Sequence, residues 1–363
     1  MESLRFLLSV LLLCANSAIQ IRGHDLLKDH VAFFIFGDSI FDPGNNNYFN
    51  TSAQANYPPY GETFFKYPTG RFSDGRIIPD FIAEYAKLPL IPPYLQPGNH
   101  QFTYGVNFAS GGAGALVETN QGLVIDLKTQ ISYFRKVVKL LRQNLGDAKA
   151  KTLLSRAVYL ITIGTNDYGS PILANSPVPK SLWDEFVGMV IGNLTASIED
   201  ICKLGGRKFG FLSLGQLGCR PILRVLVPAN VSSCYEEATA LAELHDRALS
   251  KALQELQSRL KGFKYAYQNM TLFLSEGVND LSKYVLKEVK TACCGSGRYR
   301  GICSCGGKRG LTEYELCENP NEYLFFDCAH FTDRANGKIA ELMWSGNSSV
   351  IGPYNLKELF STY

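Results

Sequence analysis

The sequence predicts an α/β protein built on a parallel sheet with helices on both faces. Short apolar runs, "VAFFIFG" from Val31, "AVYLITIG" from Ala157, "KFGFLSLG" from Lys208 and "FKYAYQNM" from Phe263, have the length and residue types of buried strands. Longer amphipathic segments at 77–87, 125–146, 181–204 and 234–260 alternate with them, which is the pattern of strand–helix–strand units. The 363 residues are 46% hydrophobic and 19% charged with no repeat or composition break, so one large domain over 24–363 is the expected organisation.

Taken in chain order, the first element is a leader. "MESLRFLLSVLLLCANSAIQIRG" has Arg5, an apolar run from Phe6 to Cys14 and then the small residues Ala15, Ser17 and Ala18. That is the layout of a secretory signal peptide over 1–23, with cleavage expected between about 17 and 23. The run is too short to span a bilayer comfortably, no stop-transfer pattern follows, and no other segment is long and apolar enough to cross. The first strand then ends in "FIFGDSIFDPGNNNYFN", where Gly37, Asp38 and Ser39 interrupt the apolar run and Asn45, Asn46 and Asn47 announce a polar turn. "NYPPYGETF" and "LPLIPPYLQPGNH" read as extended loops. The helix from Ile125 puts Leu127, Ile131, Phe134, Val138 and Leu141 on one face with Lys and Arg opposite, so that face is core.

Ten cysteines occur, and loss of Cys14 with the leader leaves nine in an oxidising compartment. Cys219 and Cys234 flank a loop, and Cys293, Cys294, Cys303, Cys305 and Cys317 cluster in a Gly-rich segment without a core of its own. Disulfides are the expected use; the C-C and C-x-C spacings do not suit a zinc site. Sequons begin at Asn50, Asn193, Asn230, Asn269 and Asn347, which with the leader points to a secreted glycoprotein of the extracellular space. The net charge of +3 with interspersed signs gives no footprint for nucleic acid.

Open parallel sheets carry their ligand site at the carboxyl ends of the strands. Ser39 follows the first strand, Gly112 lies in the loop "NFASGGAGA", and Asn166 follows "VYLITIG". Asp327 and His330 precede a helix whose start is signalled by Thr332 and Asp333. A serine hydroxyl becomes a nucleophile when a base takes its proton, and the base needs an acceptor on its other nitrogen. Of the five histidines, His24, His30, His100, His245 and His330, the first two sit near the mature N-terminus and His245 falls in a helical segment; His330, with Asp327 three residues before it, is the strongest base candidate. The amides of Ser39 and Gly112 and the side-chain NH2 of Asn166 are suitable donors for the oxyanion, although Asn166 before Asp167 also reads as a turn residue. Ser110, Ser213 and Ser296 are expected to be structural, and the G-x-S-x-G elbow of ordinary lipases is absent. The chemistry needs neither cofactor nor metal.

In order, "FIFGDSIFDPGNNNY", "GVNFASGGAG", "IGTNDY" and "DCAHFTD" resemble the four signature blocks of the plant GDSL esterase/lipase family of SGNH hydrolases. The likeness runs from about residue 31 to 346, includes "TGRFSDGRIIPDFIAEYAKLPLIPPYL", and looks closest to the secreted, defence-associated branch. It implies a flavodoxin-like three-layer α/β/α sandwich, Ser39 as nucleophile, Gly112 and Asn166 as oxyanion donors, and Asp327 with His330 completing the triad. It also implies a small-molecule or lipid ester as substrate, and an apoplastic or cell-wall location. Three positions depart from the family pattern. Ile40 replaces the naming leucine, Phe331 stands where many members have proline, and Cys328 sits between the triad residues, either as the unpaired ninth cysteine or as a partner for the nearby cluster. Three readings follow: an ester hydrolase, an acyltransferase of plant specialised metabolism that passes the same acyl group to an alcohol, and a non-catalytic glycosylated defence or binding protein.

Overall fold

The computed structural model describes residues 30–98, 101–231, 233–271, 286–308 and 310–361; the leader lies outside them. In chain order the main elements are β1 (Phe33–Gly37), α1 (Ile78–Tyr85), β2 (Gly105–Asn107), α2 (Leu127–Leu145), α3 (Asp147–Arg156), β3 (Val158–Thr162), α4 (Thr165–Leu173), α5 (Trp183–Leu204) and β4 (Lys208–Leu212). There follow α6 (Pro221–Arg224), α7 (Glu236–Arg259), β5 (Lys264–Gln268), a two-residue pair β6 (Cys294–Gly295) and β7 (Glu315–Leu316), α8 (Asp333–Ser345), β8 (Ile351–Pro353) and α9 (Leu356–Ser361).

The sheet runs β2-β1-β3-β4-β5-β8. The first five strands are parallel in the doubly wound order 2-1-3-4-5, whose direction of winding reverses between β1 and β3. Alternation along β1 sorts its side chains between two cores. Phe34 and Phe36 face α2, α5 and α7 through Phe134, Val190 and Leu253, whereas Phe33 and Ile35 face α1, α8 and α9 through Ile82, Ile339 and Leu359. The three-layer α/β/α arrangement follows from this division.

The sheet is not wholly parallel, because β8 pairs antiparallel with β5. The chain enters β8 beside the carboxyl end of β5, where the Val350 carbonyl accepts a hydrogen bond from the Asn269 amide at 3.0 Å, so the strand can only run back down the sheet. Pro353 within it suits an edge, where one face of the strand lacks a partner.

Four disulfides join Cys219 to Cys234, Cys293 to Cys317, Cys294 to Cys305 and Cys303 to Cys328. Of the two roles open to Cys328, the structure selects pairing with the cluster. Among the described residues the unpaired thiol is Cys202, buried on α5, where burial pushes it up to about 11. Around these bridges a third, small core forms from Tyr60, Phe72, Phe326 and the sulfurs, which supplies the packing the Gly-rich segment lacks. No described helix is long and apolar enough to cross a membrane.

Candidate active site

The site lies at the switch point between β1 and β3. β1 stops at Gly37, whose φ of +147° and close approach to the Thr162 carbonyl, 2.3 Å from where a Cβ would sit, admit only glycine. Buried Gln130 of α2 then takes over from the sheet: its Oε1 accepts from the Gly37 amide at 2.9 Å and its Nε2 donates to the Gly37 carbonyl at 2.8 Å. Ser39 follows in a turn held by Asp38, whose Oδ1 accepts the Ile40 amide.

The asparagine run after Ser39 is a clamp on the loop that carries Gly112. Asn45 Nδ2 donates to the carbonyls of Asn107 and Ala109, and Asn46 Nδ2 to that of Gly111. Asp42 accepts the amides of Gly44 and Asn45 on one oxygen and that of Gly111 on the other. Ser110 Oγ donates to Asn46 Oδ1 and accepts the Ile125 amide, while Ser213 Oγ accepts the Met270 amide and Ser296 Oγ pairs with Ser304 Oγ, so these hydroxyls are engaged in holding loops.

His330 Nε2 lies 2.7 Å from Ser39 Oγ. Its Nδ1 lies 2.7 and 2.9 Å from the two carboxylate oxygens of Asp327. With Nδ1 protonated toward that carboxylate, Nε2 is the acceptor that faces the serine. Asp327 is 1% exposed and its Oδ1 also accepts the amides of Ala329 and His330, which ties the "DCAH" turn into one unit. The Phe72 ring packs against the imidazole at a centroid distance of 4.7 Å. His245 is remote from this chain of bonds: it is buried on α7 with Nδ1 against the Tyr168 hydroxyl, and burial lowers it to about 3, so it stays neutral.

Gly112 has φ +84°, and its carbonyl is held by Asn120 Nδ2 at 2.7 Å. Among the described residues neither its amide nor that of Ser39 donates a hydrogen bond. Asn166 lies in the first turn of α4, not in a free loop, and gives one Nδ2 hydrogen to the Ala113 carbonyl at 2.9 Å, leaving the other unused. Ser39, Gly112, Asn166 and His330 line one cleft of about 580 Å³, walled by Leu173, Leu217, Ile222 and Leu223. All five expected site residues therefore meet at one rim of the sheet.

Four supporting residues are not legible in the sequence. Tyr60 donates its hydroxyl to Asp327 Oδ2 at 2.7 Å from the loop "NYPPYGETF", whose composition signals only an extended segment. Asp167 accepts the amides of Ala115 and Leu116 and the Thr119 hydroxyl, fastening the glycine loop to α4. Asp74 accepts the Asp333 amide and Arg76 pairs with the Asp333 carboxylate, docking the start of α8 on the "RFSDGR" segment. Each is a contact over long sequence distance, and the only signal for them was the presence of buried-type aromatics and paired charges in loops.

The sequence model of the GDSL-like Lipase/Acylhydrolase family matches residues 33–343. GDSL esterase/lipase 1 of Arabidopsis thaliana is 53% identical over 99% of this chain and 97% of its own length. GDSL esterase/lipase 5 of the same plant is 52% identical over 97% and 93%. A GDSL lipase of Tanacetum cinerariifolium is 49% identical over 91% and 87%. With the match extending from β1 into α8 and therefore across every element that builds the cleft, this chain belongs to the GDSL-like lipase/acylhydrolase family.

Proposed function

We propose that this carboxylic-ester hydrolase works through an acyl-enzyme on Ser39. The observation that carries the reading is the unbroken run of hydrogen bonds from Ser39 Oγ through His330 to Asp327, opening on an apolar-walled cleft. His330 Nε2 takes the hydroxyl proton as Oγ bonds to the ester carbonyl carbon, and the imidazolium that forms is stabilised by Asp327. The amides of Ser39 and Gly112 and the free Nδ2 hydrogen of Asn166 receive the negative charge on the carbonyl oxygen. Collapse expels the alcohol, which takes the proton back from His330. Water then repeats the sequence on the acyl-serine and releases the acid.

The same acyl-enzyme serves an acyltransferase if an alcohol replaces water, and the walls of Leu173, Leu217, Ile222 and Leu223 favour a cleft that sheds water. Product analysis with and without candidate alcohols separates the two. The first test is hydrolysis of short-chain p-nitrophenyl esters by purified protein and by Ser39→Ala; equal rates would refute the acyl-enzyme reading, and no turnover by either would favour the non-catalytic one.

We further assign the mature chain, 24–363, to one catalytic domain that is secreted as a glycoprotein and, on sequence resemblance, to the defence-associated branch. Exposure of all five sequon asparagines, Asn50, Asn193, Asn230, Asn269 and Asn347, supports glycan attachment. Endoglycosidase treatment of protein from plant extracellular fluid tests this: an unchanged mobility counts against it.

A further inference from the structure

Arg220 lines the cleft beside Ser39 and His330, in the loop "GQLGCRP" anchored by the Cys219–Cys234 bridge. It is 8% exposed, yet its side chain makes no hydrogen bond or ion pair among the described residues. None of its nitrogens is among the sealed polar atoms, and the residue borders both this cleft and a small adjoining pocket lined by Ile40, Thr162 and Phe331. A guanidinium has five N–H donors, and burying a charge without partners is costly.

A contrast within the same molecule shows what a satisfied buried arginine looks like. Arg71, 7% exposed, holds both oxygens of Asp80 at 2.8 Å and also donates to the Pro43 carbonyl. Arg220 has no such partner. Asp38 and Asp327 are near enough to act on it electrostatically, but neither pairs with it: Asp327 is engaged by His330 and Tyr60, and Asp38 Oδ2 is sealed without a donor. Their negative field favours the charged guanidinium while its donors remain unused. Lys308, exposed at the rim, adds a second cation, and no carboxylate occurs among the described lining residues.

We infer that Arg220, assisted by Lys308, makes the cleft selective for esters that carry an oxyanion, a carboxylate or a phosphate, besides the scissile bond. Arginine suits this because its planar fork engages such groups bidentately, and desolvation in the cleft strengthens the contact. The inference rests on the esterase reading of Ser39.

The test compares kcat/KM for matched pairs. The p-nitrophenyl half-ester of glutarate against its methyl ester probes the acyl side, p-acetoxybenzoate against its methyl ester probes the alcohol side, and p-acetoxyphenyl phosphate probes phosphate. The anion is preferred in at least one comparison by about 10- to 100-fold. Arg220→Gln reduces that preference about tenfold or more, Arg220→Lys retains part of it, and a merely structural role would lower both members of a pair equally. If the Arg220 variants do not fold, Lys308→Gln and the wild-type protein at about 1 M salt decide, since both reduce the preference by weakening the charge interaction. Equal rates within every pair in the wild-type protein overturn the inference while leaving the esterase reading intact. Turnover of no ester at all overturns that reading and this one with it.

Discussion

Cys328, which stands between Asp327 and His330 in the chain, is bonded to Cys303 of the cross-linked segment. The bridge tethers the catalytic turn, and the Ile222 amide donates to the Cys328 carbonyl at 2.8 Å from the apolar wall of the cleft. Reduction is therefore expected to inactivate the protein although Ser39 itself has no redox chemistry. The pair Cys303→Ser/Cys328→Ser should lower stability by about 2–4 kcal/mol and kcat about tenfold. Hydrogen exchange should rise around residues 320–335; full activity after verified reduction would show that the bridges are not coupled to the site.

Tyr60→Phe removes one hydroxyl from a buried carboxylate. Asp327 Oδ2 keeps His330 Nδ1 and loses its phenol donor, so the anion that orients the imidazole is less well held. We expect kcat to fall about tenfold with KM little changed, and stability to fall by about 1–2 kcal/mol. Steady-state kinetics and thermal unfolding of the variant check both; wild-type kcat would mean that the phenol has only a packing role.

Asn166→Ala separates the two readings of that residue. Loss of a donor to charge present only in the transition state lowers kcat by about 10² to 10³ with a small change in KM. The bond to the Ala113 carbonyl disappears as well, but Asp167 still holds the loop through Ala115 and Leu116. An effect confined to KM, or unfolding, would return Asn166 to a turn residue.

Asp38 gives a pH signature to stability. Burial raises its carboxyl to about 6, above the ordinary 3.8, so the folded state holds the proton more tightly than the unfolded chain does. The contribution is fully favourable below about pH 4 and is lost as pH rises through about 6, at a cost of roughly 3 kcal/mol. Asp38→Asn, which keeps an oxygen for the Ile40 amide, should be more stable than the parent at pH 7.5 and no more stable at pH 4. Denaturant unfolding at the two pH values measures the difference; a variant equally destabilised at both would contradict it.

The parallel strands β1, β3, β4 and β5 are legible because strands covered on both faces are rich in apolar and aromatic residues, and the long helices because one face of each is apolar. β2 and β8 are not: with three residues each they show no period, and the polar Asn107 and Pro353 argue locally against strand. The helix from Thr165 is illegible for a related reason, since Gly169 and Pro171 lie inside it and tertiary packing overrides their low propensity. At the site, the motif residues could be read from strand ends. Tyr60, Asp167 and Arg220 could not, because their meaning comes from partners or cleft walls far away in sequence. Cys202 illustrates the limit: counting identifies an odd cysteine, and only the pairing of the other eight described cysteines shows which one it is.

The central claim is that Ser39 Oγ forms the covalent intermediate. Incubation with a fluorophosphonate followed by peptide mass spectrometry tests it directly. The account predicts one adduct, on the peptide containing Ser39, formed in step with the loss of esterase activity, absent from Ser39→Ala and slowed in His330→Ala, with the Ser39→Ala variant losing on the order of 10⁴-fold in kcat. Labelling of Ser39→Ala at the parent rate, or an adduct on another serine that tracks inactivation, would contradict it.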